Sequence, residues 1–362
     1  MSQLDTLEDF LARSLLSPAA YAQYQTGDVG KEALQEFTRE IREISQAYVA
    51  HTVGARLSSP ISSIKAAEAY ALYYTAINAA KILHLVPLLH LPANLSVLDI
   101  GCGPGTAGLA LLSVLQQRFK LTCVESSHPM RVVAERLLNA WQAPHPLAHC
   151  TMLSSLHDST HADYDLIIAA NVLAEIHEQE ANILLEKLVN RIRPNGYLLL
   201  LEPGQQRHTR RLMAIRDHIL SAHTDFVPTF PCLRNDPCPM LRASDTDWCH
   251  DTLEWPQPRL NRQFDHLLSF NKHRIKYSGF VFQRGGTLRE GVRVITPPEK
   301  TRAGVEATLC GRDVYGVVRI RKGTRSDANR ALEKASVFDR LLMSTPCIGD
   351  VPPEATFTKS QR

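Results

Sequence analysis

Several architectures are excluded by what this 362-residue chain lacks. No stretch approaches the roughly 18 consecutive apolar residues that a bilayer-crossing helix needs, so no membrane partner is expected. Gly and Pro number 18 and 21, too few for a collagen-like or low-complexity chain. Eight cysteines cannot staple a chain of this length as a disulfide framework, and their low density suits a reducing compartment. The start, Met1-Ser2-Gln3-Leu4-Asp5 with Glu8 and Asp9 behind it, has neither the basic opening of a secretory signal nor the Arg-rich, acid-poor look of a mitochondrial presequence. No internal repeat is visible. What these absences leave is a folded, cytoplasmic protein of several parts, expected to be a monomer when free.

A hydrophobic share of 44% and a charged share of 21% are ordinary for a globular chain. The net charge of +3 hides an asymmetry. Residues 259–330 carry 16 Lys+Arg against 6 Asp+Glu, and the remainder carries 24 against 31. A basic end on an acidic body points to a polyanionic partner, with a solvated positive face as the plain alternative.

Residues 1–90 read as a helical segment. Leu34, Phe37, Ile41, Ile44 and Tyr48 recur at spacings of three and four, and Ser63–Leu85 is rich in Ala, Leu and Tyr. A break is expected at Ser58-Ser59-Pro60. From about residue 91 to 285 strands alternate with helices. Strands are expected at Val97–Ile100, Leu121–Val124, Tyr164–Ala170 and Tyr197–Leu201, with helices at Thr106–Arg118, Met130–Trp141, Glu178–Ile192 and Thr209–His223. That grammar implies an α/β, doubly wound parallel sheet. An irregular cysteine-rich insertion spans 227–258, strand-like runs follow at Phe264–Phe270 and Tyr277–Gln283, and residues 286–362 form a small basic β extension whose last dozen residues look loose.

The sharpest motif is Val97-Leu98-Asp99-Ile100-Gly101-Cys102-Gly103-Pro104-Gly105-Thr106. Its glycines permit a tight turn and close approach of a ligand to the backbone, and the turn presents amide donors where the next helix begins. Glu125, at the end of the second strand, is placed to accept hydrogen bonds from both hydroxyls of a ribose. The Gly-x-Gly-x-Gly spacing with an acidic residue two positions ahead resembles motif I of the Rossmann-like, class I S-adenosylmethionine-dependent methyltransferases. Asp163–Asn171 looks like their fourth strand, and Arg193-Pro194-Asn195-Gly196-Tyr197 like the turn into their fifth. The resemblance makes Asp99, Gly101, Gly103, Gly105, Glu125 and Asn171 the candidate cofactor residues.

No catalytic residue is identifiable. After the fourth strand the chain reads Asn171-Val172-Leu173-Ala174-Glu175-Ile176, without the Pro-Pro-aromatic run of amino-directed nucleic-acid enzymes. A Pro-Cys nucleophile is also missing there, and Pro231-Cys232 lies in another element. Glu175 and His177 are possible bases, with helix capping or a surface role as the blander reading.

Cys232-x5-Cys238-x10-Cys249, with Cys310 downstream, supplies four candidate thiolates for a tetrahedral zinc ion or an iron–sulfur cubane. Four unrelated reduced thiols are the alternative. The spacing lacks the usual zinc knuckle.

Pro237-Cys238-Pro239, Asp247-Trp248-Cys249-His250 and Tyr277–Gly285, placed after the Gly-rich motif, resemble a specific group. It is the methyltransferase-like family of ribosomal small-subunit assembly factors, with mitochondrial and bacterial members. The resemblance runs from about Ser63, through Tyr73-Tyr74 and Ala80-Lys81-Ile82, to about Arg330. It implies S-adenosylmethionine in the sheet domain and a [4Fe–4S] cluster on Cys232, Cys238, Cys249 and Cys310. The Cys238-to-Cys249 gap is longer than the mitochondrial pattern. It also implies association with the small ribosomal subunit and its rRNA, to which Arg312, Arg319, Arg321, Lys322 and Arg325 could offer phosphate contacts. The rival functions are an active rRNA or ribosomal-protein methyltransferase, and a small-molecule methyltransferase with zinc or no metal.

Overall fold

The helical start follows from local signals. Ser2, Ser17 and Ser63 each precede a helix and accept an N–H of its first turn on the hydroxyl, satisfying donors that a helix end leaves bare. In chain order the elements are α1 (Gln3–Leu15), α2 (Pro18–Thr26), α3 (Lys31–Ala50), α4 (Ile64–Leu85), β1 (Leu95–Ile100), α5 (Thr106–Val114), β2 (Phe119–Val124), α6 (His128–Gln142), β3 (Ala148–Leu153), β4 (Tyr164–Ala170), α7 (Glu178–Val189), β5 (Ile192–Pro203) and α8 (Gln206–Ala222). Then come β6 (Phe226–Phe230), α9 (Pro239–Ala243), β7 (Asp251–Glu254), α10 (Arg259–Leu268), β8 (Arg274–Arg284), β9 (Val292–Val294), β10 (Glu299–Lys300), β11 (Gly304–Gly311), β12 (Tyr315–Arg321), α11 (Arg330–Glu333), β13 (Arg340–Met343), β14 (Gly349–Asp350) and β15 (Phe357–Ser360). The structure is a computed structural model and describes residues 2–50, 60–115, 119–142, 148–159 and 163–360. The expected break at Ser58-Ser59 and the expected helix end at Arg118 lie outside these residues.

Two compact units divide the chain: Met1–Leu198 with Leu253–Ile275, and Leu199–Thr252 with Lys276–Arg362. In the first, the strands lie in the order β3-β2-β1-β4-β5, with β1–β2, β1–β4 and β2–β3 parallel. Every residue of β1 is buried, as a strand covered on both faces must be. The helices of residues 3–85 belong to this unit. α3 buries Leu34, Phe37, Ile41 and Ile44. α4 is apolar nearly all round and packs against α1, α3, α5 and α6.

Two expectations in this unit are corrected. The strand-like run at Phe264–Phe270 lies largely in helix α10, because Leu260, Phe264 and Leu268 sit four apart and are all buried. The buried Glu8 carboxylate accepts the N–H groups of Leu260 and Asn261, both at 2.8 Å, closing the first turn of that helix. Asp265 on the same helix takes the Tyr73 hydroxyl at 2.5 Å. The helix expected to reach Ile192 stops at Val189, and β5 begins at Ile192. Pro194 explains the stop, since the residue before a proline avoids helical backbone.

In the second unit β6 and β8 pair antiparallel, with Phe226 opposite Arg284. The stretch expected to be irregular, 227–258, contains most of β6 together with α9 and β7. A separate sheet runs β14-β12-β11-β9-β13-β15, with β10 beside β11. Alternating residues of β11 and β12 turn inward, so Val305, Ala307, Leu309, Val318 and Ile320 are buried. Within the last dozen residues, expected to be loose, Phe357–Ser360 form a strand: Phe357 is buried and lies opposite Met343 in the β13–β15 pairing. One inward aromatic fixes a register that the polar composition concealed.

Candidate functional site

The first candidate site stands at the carboxyl ends of β1, β2 and β4, where a doubly wound sheet places ligands. Asp99 lies between Cys123 of β2 and Ile168 of β4. Beyond β1 the chain turns through Gly101, Gly103 and Gly105 at φ of +65°, +56° and +85°, a region that L side chains rarely adopt. Gly103 donates its N–H to Glu125 Oε2 at 2.9 Å, and Ser127 donates to Oε1 at 2.8 Å. The Glu125 side chain is thereby fixed at the mouth of the turn. A Cβ on Gly103 would meet nothing within 4 Å, whereas one on Gly101 would lie 2.7 Å from Val172 Cγ2. Space for a ligand therefore opens at Gly103. Asn171, at φ +58°, begins the turn after β4.

Asp99 Oδ2 is buried without a hydrogen-bond partner among the described residues. Burial, reinforced by the Glu125 charge, pushes this carboxyl up to about 8. A buried carboxyl oxygen left unpaired at the end of β1 can meet a polar group of a ligand. Asp99, Cys102 and Cys123 also bring one ligand atom each within 4.8 Å of one another.

Glu175 has company that the sequence did not announce. It accepts the Tyr48 hydroxyl. Burial pushes Tyr70 upward, and the charges of Glu175 and Glu125 act on it as well. Tyr70 and Tyr74 are in ring contact at 4.8 Å, and Tyr70 receives the Asn78 amide at 3.4 Å. The buried Lys81 ammonium in turn donates to Asn78 at 2.8 Å. His177 is the N-cap of α7, so the capping reading suits it.

The second candidate site belongs to the second unit. Cys232, Cys238, Cys249 and Cys310, all free thiols, line one pocket. Cys238 caps α9, and its N–H is held by both oxygens of Asp217, at 2.9 and 3.0 Å. Cys249 is fixed by its N–H on Met213 Sδ and by the Ser278 hydroxyl on its carbonyl. Cys310 stands on β11 between Arg293 of β9 and Tyr315 of β12, and both of these neighbours line the pocket. Burial pushes Cys310 up to about 12, with Cys232 and Cys238 adding to the shift. Burial also raises Cys249 well above its ordinary value, and Cys232, Cys238 and Cys310 add to it. No three of these sulfurs lie within 4.8 Å of one another.

Three guanidiniums that sequence reasoning missed line the same pocket: Arg216, Arg234 and Arg293. Arg216 and Arg293 are each 1% exposed. Burial of an arginine has no local sequence signature. Arg216 sits in a run of helical basic residues that reads as a solvated face.

The basic extension is less free than its composition suggests. Arg319 pairs with Glu306 at 2.8 Å, Arg321 with Asp350 at 2.7 Å, and Arg325 with Glu333. Arg312 and Lys322 are exposed and have no ion-pair partner among the described residues.

The strand order and the Gly-rich turn over Glu125 define a class I methyltransferase-like α/β fold. Residues 65–330 match the family model for the mitochondrial small ribosomal subunit Rsm22, and the chain belongs to that family. Carboxy-S-adenosyl-L-methionine synthases of Histophilus somni and Shewanella amazonensis are 30% and 28% identical over 111 and 108 residues. Each match covers 30% of this chain, and the chain spans less than half of these relatives, 45% and 44%. Among solved structures, the magnesium protoporphyrin IX methyltransferase of Synechocystis aligns over 68% of this chain and 90% of its own, at 15% identity and TM-score 0.38. An S-adenosyl-L-homocysteine-bound methyltransferase of Thiobacillus denitrificans aligns over 56% and 90%, at 15% identity and TM-score 0.32. No described helix is long and apolar enough to cross a membrane.

Proposed function

We propose that this protein is a methyltransferase-like factor of the small ribosomal subunit. In this reading it holds S-adenosylmethionine in the first unit and a [4Fe–4S] cluster in the second, and it contacts rRNA through its basic extension. The observation that carries the reading is the convergence of Cys232, Cys238, Cys249 and Cys310 on one pocket in a chain of this family. The family is that of a mitochondrial small ribosomal subunit protein. It therefore supports the ribosomal partner and does not carry the cytoplasmic expectation.

The residues fit both groups. Open space over Gly103, the fixed Glu125 carboxylate and the unpaired Asp99 oxygen suit a nucleoside with a polar tail. The carboxy-S-adenosyl-L-methionine synthases, named for a derivative of this cofactor, lend support. S-adenosylmethionine, when bound, supplies an electrophilic methyl group on its sulfonium sulfur. The residues of this site bind and orient; Glu175, tied to Tyr48, supports no base assignment. In the second pocket the four thiols are spread too widely for a ready-made zinc tetrahedron, whose sulfurs lie about 3.8 Å apart when Zn–S is about 2.3 Å. A cubane is larger, and four thiols are the number it takes. Arg312 and Lys322 are the readiest phosphate contacts.

Anaerobic purification with iron, sulfide and zinc analysis, followed by co-sedimentation with small subunits at rising salt, tests the reading. About four irons and four sulfides per chain are expected, with salt-sensitive co-sedimentation. A stoichiometric zinc protein that ignores the subunit would refute it. Methyl incorporation into rRNA or a ribosomal protein, abolished by Gly103→Arg, would turn the factor into an enzyme.

A further inference from the structure

The α8 pair Arg216–Asp217 organises the cysteine loop from beneath. Arg216 Nη1 donates to Asp217 Oδ1 and to the Asp236 carbonyl, both at 2.6 Å, and Nη2 donates to the Arg234 carbonyl. Both Asp217 oxygens take the Cys238 N–H. Arg234 then reaches the Gly311 carbonyl at 3.2 Å, one residue past Cys310. Two donors are left over. The Nε atoms of Arg216 and Arg234 are buried and have no acceptor among the described residues, although both residues line the thiol pocket.

A buried charged donor left unmet is costly, and a ligand that accepts from it removes that cost. The residues that line the pocket include no carboxylate; beside the four cysteines and three arginines they include Met240 and Tyr315, and Cys232 takes a hydrogen bond from Arg216. The acceptors nearest to these two Nε atoms in the pocket are therefore sulfurs and one phenol, none of them a carboxylate. A group carrying several sulfur lone pairs and net negative charge meets that demand.

Resting on the cluster reading above, we infer that Arg216 and Arg234 are positioning residues that give the bound iron–sulfur group countercharge and N–H donors, and so favour its more negative, one-electron-reduced form. With four thiolates the oxidised cubane carries a net charge of −2 and the reduced one −3. The electron comes from an added reductant such as dithionite; no bond breaks and no proton moves. Guanidiniums in a low-dielectric pocket stabilise the extra charge more than they stabilise the starting charge.

The test is an anaerobic potentiometric titration of the full chain, followed by visible absorption and by the paramagnetic resonance of the reduced cluster. Arg234→Met is the principal variant, because among the described residues its side chain hydrogen-bonds the Gly311 carbonyl and the Asp236 carboxylate and holds no other part of the loop by a hydrogen bond. Arg216→Met is the second, and Arg284→Met, outside the pocket lining, is the charge control. At a fixed potential the reduced-to-oxidised ratio is expected to fall about tenfold in Arg234→Met, a downward shift of about 59 mV for one electron. Arg234→Lys should recover much of that shift by restoring the charge, and Arg284→Met should not move it. A merely structural arginine would lower iron content and leave the potential of the retained cluster in place. That outcome in Arg234→Met overturns the inference, as does loss of the cluster in both Met variants with an unshifted Lys variant. Wild-type protein without iron and sulfide would overturn the cluster reading itself, which separates the two failures.

Discussion

Adding one methyl group at either of two neighbouring glycines separates ligand space from fold. Gly101 and Gly103 share the left-handed backbone, at φ +65° and +56°, so alanine at either position costs about 1–2 kcal/mol of backbone strain. Their surroundings differ. A Cβ at Gly101 would sit 2.7 and 2.9 Å from Val172 Cγ2 and Cβ, and overpacking of that kind adds about 1–3 kcal/mol. A Cβ at Gly103 would point into open space. Gly103→Ala is therefore expected to cost about 1–2 kcal/mol, and Gly101→Ala about 2–5 kcal/mol. For a unit of this size each kcal/mol is worth roughly 2–4 °C in Tm. Isothermal titration with S-adenosylmethionine should show the reverse emphasis per unit of stability lost: Gly103→Ala, though less destabilised than Gly101→Ala, should bind at least tenfold more weakly. Wild-type affinity in Gly103→Ala would refute the placing of the cofactor over this glycine. Equal Tm losses in the two variants would refute the packing argument.

Three further outcomes follow from the geometry. Asp99, held up near 8, keeps a proton in the folded chain that the unfolded chain releases near its ordinary value; stability should thus fall as pH rises from about 4 to 8 and level off above. Urea titrations at several pH values should show this slope, up to about 1.4 kcal/mol per unit, flattened in Asp99→Asn. Glu8→Ala strands the N–H groups of Leu260 and Asn261, and chemical denaturation should report a loss of about 2–4 kcal/mol. Arg312→Ala/Lys322→Ala should reduce the salt slope of rRNA binding by about 1.4–1.8, at about 0.7–0.9 per phosphate contact. Arg321→Ala should change it little, because Asp350 already holds that guanidinium.

The first site was legible because its chemistry is written in contiguous residues. Gly101, Gly103 and Gly105 specify a turn, and Glu125 ends the strand beside it, so backbone geometry and local order carry the message. Long-range partners were not legible. The run around Phe264 has the aromatic content of a strand, and only the burial of Leu260 and Leu268 on one face, with the Glu8 carboxylate at its head, makes it a helix. Likewise the cysteine spacings gave a set without an arrangement. The arginines behind them are indistinguishable in sequence from surface charge, because what buries Arg216 is a set of backbone carbonyls some twenty residues away.

Helix α10 has a practical consequence for anyone cutting this chain. It belongs to the first compact unit, yet the segments on either side of it belong to the second, so the polypeptide crosses between them three times. A fragment ending at Leu198 would strip Glu8, Tyr73 and Val29 of their partners on that helix and bare a buried carboxylate. The two units are therefore built from alternating lengths of a single thread. Engineering that aims to isolate either one must rejoin 253–275 to the first by a new linker.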